Sequence, residues 1–202
     1  MTPERGTLLL RIARASIAES LGLDAPEIDI PEADGWLYEP GACFVTLKKS
    51  RQLRGCIGSL EAQRALLEDV KNNARAAALR DPRFPPIIPE EFDRIRIEIS
   101  LLTTPTPLPP AAEESAAISM LHPGRDGVVL EYGSYRSTFL PQVWQQIPDP
   151  HTFLAHLKAK AGLAPGFWHQ DLLLSIYRVE TYAEEEESPV PMEQATGVIH
   201  HG

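Results

Sequence analysis

The sequence predicts an α+β protein in which an antiparallel or mixed β-sheet packs against helices. Three observations lead there. Two extended runs, Phe44 to Lys48 and Leu53 to Ser59, are joined by the polar stretch Lys49-Ser50-Arg51-Gln52, and a second pair, Gly127 to Tyr132 and Tyr135 to Leu140, turns around Gly133 and Ser134. Arg94 to Leu102 alternates, with Ile95, Ile97, Ile99 and Leu101 on one face and Arg94, Arg96, Glu98 and Ser100 on the other. The hairpins are interleaved with helical segments but lack the regular βαβ rhythm of a doubly wound parallel sheet.

In chain order, Thr2 can cap a first helix, Pro3 suits its first turn, and Leu8, Ile12, Ala15 and Leu21 recur at helical spacing until Gly22 stops it. Residues 23–41 carry Pro26, Pro31, Gly35, Pro40 and Gly41 among acidic residues and form a connector, from which Trp36 and Leu37 pack back onto the core. In the first hairpin, a turn centred on Ser50 and Arg51 sets Val45 opposite Cys56, with Cys43 one diagonal step away on the same face. That step is about 7–8 Å, too far for an unstrained disulfide, so two free thiols are expected. Leu66, Val70, Ala74, Ala77 and Ala78 mark a second helix that ends before Asp81 and Pro82, because the residue before a proline resists helical geometry. The alternating strand follows the loop DPRFPPIIP, and the proline-rich connector TTPTPLPPAAEES leads to a short helix over 113–121. DPHTFLAHLKAKAG forms the last helix, with Asp149 as cap, Pro150 in the first turn and Gly162 as stop. Leu172 to Tyr182 closes the fold as one long strand. Residues 1–183 then make a single domain, and 184–202, opening with Glu184 to Glu187 and ending in HHG, an acidic tail expected to be flexible.

Composition narrows the function. With 43% hydrophobic and 23% charged residues, the 202-residue chain can bury a substantial core without staples. A formal charge of −9 opposes a phosphate backbone, so nucleic acid is not an expected partner. No apolar run approaches the roughly 20 residues that span a bilayer, which leaves no membrane role. The N-terminal stretch lacks the pattern of a secretory signal and the chain has only Cys43 and Cys56, both consistent with a reducing cytoplasm.

The residues that could carry chemistry fall in three places. LRGCIGSLE sets Cys56 between Gly55 and Gly58, where missing side-chain walls let a ligand or another backbone approach; Arg54, two residues before the thiol, projects to the same strand face and would favour the thiolate. The ordinary explanation is a small buried cysteine, which is common. In DPRFPP, Asp81 can bond its own turn, or Arg83, on a proline-stiffened loop, can take a carboxylate or phosphate of a small acidic substrate. His122 heads the turn-rich HPGRDG, where an imidazole could move a proton, although a lone loop histidine is more often simply exposed. His151, His156 and His169 have no metal-ligand spacing, and no phosphate loop, dinucleotide fingerprint or serine elbow is present. No metal or cofactor is expected, and two cysteines cannot supply a usual iron–sulfur cluster.

FVTLKKSRQLRGCIGSLE, NNARAAALRDPRFPPI, IEISLLT, DGVVLEYG, FLPQV and HLKAKAGL, in this order and spacing, resemble the AMMECR domain, known in microbes as AmmeMemoRadiSam system protein A. The resemblance runs from about Gly41 to Tyr182. It implies a larger and a smaller subdomain with a cleft between them, and partners: a Memo-like protein related to extradiol dioxygenases and a radical S-adenosylmethionine protein. Arg54, Gly55, Cys56, Ile57 and Gly58 match the first motif, Asp81, Pro82, Arg83 and Phe84 the second, and Leu140, Pro141, Gln142 and Val143 the third. The turn before Leu53 departs from the pattern, having Ser-Arg-Gln where a glycine is common. Two functions follow as expectations. In an enzyme component, Cys56 is nucleophile or covalent carrier, Arg54 and His122 assist it, and Gly55, Gly58, Asp81, Arg83 and Gln142 bind substrate. In a non-catalytic adaptor, RGCIG and DPRF form a rigid surface for the two partners, and the basic hairpin residues Lys48, Lys49, Arg51 and Arg54 steer the association.

Overall fold

A computed structural model of the chain describes residues 3–30 and 35–185. The fold is α+β, built from two antiparallel sheets, each with its own helices and core. The first lobe begins with α1 (Pro3–Ser20), which ends just before Gly22 at φ +70. Its inward stripe is Leu9, Ile12, Ala13 and Ile17, all buried, whereas Leu8 and Leu21, assigned to that stripe from the sequence, are only partly buried at its border. Thr2, the expected cap, lies outside the described residues. The connector carries a 3-10 turn, Gly35–Tyr38, from which Leu37 is driven wholly into the core and Trp36 packs against it.

Next come β1 (Pro40–Lys49), β2 (Gln52–Gly58), the short β3 (Arg64–Ala65), α2 (Leu66–Leu79) and β4 (Ile95–Leu102). The first sheet runs β2-β1-β4, completed by β9 (Val179–Ala183) on the far side of β4, with β3 paired to β1. Cys43, Val45 and Leu47 of β1 and Ile95, Ile97 and Ile99 of β4 point into one core with Val70, Ala74 and Ala77 of α2. The alanines bring α2 so close to β2 that a Cβ on Gly55 would stand 2.2 Å from the Ala77 carbonyl oxygen, which only glycine avoids.

The second lobe holds β5 (Thr106–Pro107), α3 (Glu114–Ile118), β6 (Gly127–Tyr132), β7 (Tyr135–Phe139), α4 (Pro150–Ala161) and β8 (Leu173–Tyr177), its sheet running β5-β8-β6-β7. The last helix begins and ends as its sequence dictates: Asp149 accepts from the Thr152 N–H at 2.8 Å, and Gly162 turns away at φ +91. Phe153, Leu154 and Leu157 of α4 form the core with Val128, Leu130 and Trp144, whose ring stacks on Phe153. Lys158, wholly buried, reaches both Glu114 oxygens at 3.0 Å, which ties α4 to α3.

The expected antiparallel α+β fold holds, with its strands divided between two sheets because residues 106–177 pair only among themselves. Two sequence expectations are corrected. The closing strand is not continuous: it breaks at Arg178, so β8 belongs to the second sheet and β9 to the first. All of the second lobe is therefore an insertion between β4 and β9, and its entry and exit touch, with the Thr103 N–H donating to the Arg178 carbonyl at 2.8 Å. Finally, Glu184 is part of the first lobe rather than the start of a tail: it accepts from Arg14 Nε at 2.6 Å and from the Ile97 N–H at 2.9 Å. Residues 186–202 of the expected tail lie outside the described residues. No helix among those described is long and apolar enough to cross a membrane.

Candidate functional site

A β-bulge decides where the thiols go. Lys49 pairs with Gln52 and Lys48 with Leu53 across the turn, but Leu47 pairs with Gly55, so Arg54 is an extra residue and every later side chain changes face. Cys56 thereby stands opposite Thr46, on the face turned from the helices, whereas Cys43 lies buried on the other face. The same-face placement expected from an unbulged hairpin is corrected; both thiols are free. Burial and then the nearby Asp69 carboxylate push the Cys43 thiol far up, out of the range in which it ionises. Cys56 is half-buried, and the Thr46 hydroxyl donates to its sulfur at 3.2 Å.

Asp81 and Arg83 close the strand edge beside it. β2 is an edge strand, and the outward N–H of Cys56 donates to Asp81 Oδ2 at 2.8 Å while the Cys56 carbonyl accepts from Arg83 Nη2 at 3.1 Å. The two side chains fill the places that a neighbouring strand would take. They also clasp each other, Arg83 Nε to Asp81 Oδ1 at 2.9 Å and Nη2 to Oδ2 at 2.6 Å. The Arg83 side-chain bonds first, then the Cys56 and Arg83 backbone N–H groups, hold the buried Asp81 carboxyl well below the usual carboxylate range against the opposing effect of burial. Among the described residues no oxygen or nitrogen accepts from Arg83 Nη1, so the two N–H groups of that atom remain for a ligand, and the half-exposed guanidinium also lies beside the Cys56 side chain.

Arg54 does not share the Cys56 face as the sequence spacing implied. As the bulge residue it turns to Glu91, with Nη2 to Oε2 at 2.9 Å and Nε to Oε1 at 3.2 Å, and to the Pro85 carbonyl at 2.8 Å. It stiffens the DPRFPP loop from behind, and Arg83 is the guanidinium bonded to Cys56. Lys49 Nζ joins at 2.7 Å, and these partners, Arg54 foremost, depress the Glu91 carboxyl to about 2. Lys48 is bound to Glu98 at 2.7 Å. The basic hairpin residues Lys48, Lys49 and Arg54 thus share two carboxylates, Glu98 and Glu91, which reduces the charge excess expected there without cancelling it.

The other expected site residues are scattered. Gly55 and Gly58 serve close packing, Gly58 lying under the Phe44 ring, where an added Cβ would be 2.3 Å from ring carbons. Gln142 is exposed on a 3-10 turn, Pro141–Gln145, of the second lobe and makes no hydrogen bond among the described residues. His122 is also on the second lobe, its Nδ1 3.1 Å from Asp126 Oδ2, and its bonds do not lead to Cys56. Sequence reasoning missed Thr46, which only the bulge brings beside the sulfur. It also missed Asp69, wholly buried, which accepts from the Cys43 N–H at 2.9 Å, the Ser59 hydroxyl at 2.7 Å and Asn73 at 2.9 Å, and so locks α2 onto the end of the hairpin. The Asp69 and Asn73 spacing of four, on the apolar face of a helix, was a readable signal of buried polar anchoring. Across the lobes, Arg136 of β7 pairs with Glu61, just beyond β2.

The arrangement can present one accessible, oriented thiol on a sheet face whose edge is rigidly closed, with a single guanidinium nitrogen nearby. A family model described as AMMECR1 matches residues 10–182. Protein MJ0810 of Methanocaldococcus jannaschii is 40% identical over 192 residues, covering 94% of each chain. A protein of Thermofilum pendens is 36% identical, over 94% of this chain and 93% of that one. Among solved structures, the uncharacterized protein PH0010 from Pyrococcus horikoshii aligns with a TM-score of 0.69 at 35% identity, over 92% of this chain and 94% of that one. The matched span takes in both sheets, the bulged hairpin with Cys56 and the Asp81–Arg83 clasp, and the chain belongs to the AMMECR1 family.

Proposed function

We propose that this chain is an enzyme component in which Cys56 acts as nucleophile or covalent carrier, working with a Memo-like protein and a radical S-adenosylmethionine protein in the cytoplasm. The observation that carries the reading is the contrast between the two thiols. Cys43 is sealed in the core, while Cys56 is half-buried, oriented by the Thr46 hydroxyl and set in a backbone whose N–H and C=O are fixed by Asp81 and Arg83. A group held this firmly on an accessible face suits attack on an electrophilic substrate, since positioning supplies much of a catalyst's advantage. Arg83 Nη1 is the donor available for an acidic group of that substrate, and Thr46 replaces Arg54 as the neighbour of the sulfur.

A second reading, a rigid docking surface for those partners, draws on the commitment of Arg83 Nε and Nη2 within the protein. One experiment separates the two. Native chain and Cys56→Ser are incubated with cell extract, with and without the two partner proteins, and intact mass is measured. A substoichiometric adduct mapped to Cys56 is expected, together with iodoacetamide labelling of Cys56 before Cys43. Labelling of Cys56 only after unfolding, with no adduct, would sink the catalytic reading and leave the docking surface.

A further inference from the structure

The junction of the lobes holds a charged cluster that the Cys56 site does not use. Asp126, at the entry to β6, is wholly buried. Its Oδ2 accepts from the His122 backbone N–H at 2.9 Å and faces His122 Nδ1. Its Oδ1 is enclosed and has no hydrogen bond among the described residues. Arg178 Nε stands 3.7 Å from that oxygen and Arg125 Nε 3.9 Å, near enough to neutralise its charge and too far to donate to it. A buried carboxylate oxygen without a donor is costly, and the two guanidiniums offset part of that cost by their attraction across the gap.

Two cations against one anion leave an excess of one positive charge on a chain whose formal charge is −9. Both guanidiniums are about half exposed, at 53% and 48%, and their terminal nitrogens meet no acceptor among the described residues. Each therefore keeps unfilled donors in a planar fork of the kind that fits an oxyanion. Their backbones are fixed. Arg178 is the crossing residue between the sheets, its N–H donating to Thr103 Oγ1 at 2.9 Å, and the Arg125 N–H donates to the His122 carbonyl at 3.1 Å.

We propose that Arg125 and Arg178, held by the buried Asp126, bind the phosphate group of a small molecule at the lobe junction. One fork fills the two oxygens of a carboxylate, whereas two forks arriving from separate segments match the several oxygens of a phosphate. The site stands apart from the Cys56 reading and does not depend on it.

The test titrates the full chain with inorganic phosphate against sodium chloride of equal ionic strength, followed by amide chemical shifts. Saturable binding is expected in the range of about 1 mM, with shifts gathered at residues 122–127 and 178. Arg125→Gln and Arg178→Gln each weaken it by about tenfold or more, and acetate binds at least about tenfold more weakly than phosphate. No saturation by about 50 mM phosphate, unchanged affinity in the variants, or equal affinity for acetate overturns the proposal. Melting curves check folding. If Arg178→Gln does not fold, Arg125→Gln, an exposed turn residue, decides the result alone.

Discussion

Glu91 receives Arg54 and Lys49 together and stays ionised down to about 2, and Asp81 is depressed in the same direction by Arg83. A carboxyl whose folded value is lowered contributes stability that is fully present above its unfolded value of about 4.3 and is lost as pH falls through the folded value. The Glu91 contribution therefore fades between about pH 4 and pH 2. Glu91→Gln should lower unfolding free energy at pH 7 by about 2 kcal/mol and flatten its fall over that acid interval. Urea melts from pH 2 to 7 measure both; a wild-type acid slope in the variant would show that the pair does not support the DPRFPP loop. Part of this scale was legible in the sequence, since the RGCIG and DPRF segments singled out there do meet, through the Cys56 backbone. Their roles were less so, because one inserted residue reassigns the strand face, and neither the Arg54–Glu91 pair nor the Thr46–Cys56 contact has any local sequence mark.

Individual elements were read well where local chemistry governs them, as in α4 with its Asp149 cap and Gly162 stop, and poorly where pairing does, as at Arg178. The first hairpin shows both. Its two-residue turn falls on Ser50 and Arg51 as the sequence indicated, but both take positive φ, 51 and 66, where Asn-Gly would sit without strain. Ser50→Asn with Arg51→Gly should stabilise the chain by about 1 kcal/mol, seen as a higher denaturation midpoint with unchanged slope. The opposite result is expected at the middle of β2. Gly55→Ala drives a methyl into the Ala77 carbonyl, which being backbone cannot rotate away, so β2 and α2 must part. A loss of about 2–3 kcal/mol is expected, along with faster alkylation of Cys43 as the core loosens. A stability within about 0.5 kcal/mol of wild type would mean that the helix does not lean on this strand.

For the molecule as a whole, the sequence conveyed the class, α+β, the absence of a parallel βαβ core and, through the family resemblance, two subdomains, yet not which strands belong to which sheet. The reason is that strand length and alternation say nothing about which strands pair. The second lobe has its own core of Phe153, Leu154, Leu157, Val128, Leu130 and Trp144, and its ends meet at Thr103 and Arg178. A fragment of residues 103–178 should fold alone, giving dispersed amide resonances and a cooperative melt. A fragment with collapsed, exchange-broadened spectra would show that the lobe needs the Arg136–Glu61 pair and its neighbour's surface.

That insertion also orders events at the ribosome. When β4 leaves the ribosome its partner β9 has not been made, and residues 103–178 must come first. At about 5–20 residues per second, the interval is roughly 4 to 15 seconds. Throughout it, the alternating isoleucines of Arg94 to Leu102 lie in a sheet with one bare hydrogen-bonding edge, the condition under which nascent chains pair with the wrong neighbour. The second lobe, contiguous in sequence, can complete itself within that window. Synthesis order thus makes the five-residue strand Val179–Ala183 the last element of the first sheet to be supplied, and its loss by truncation would leave that edge open.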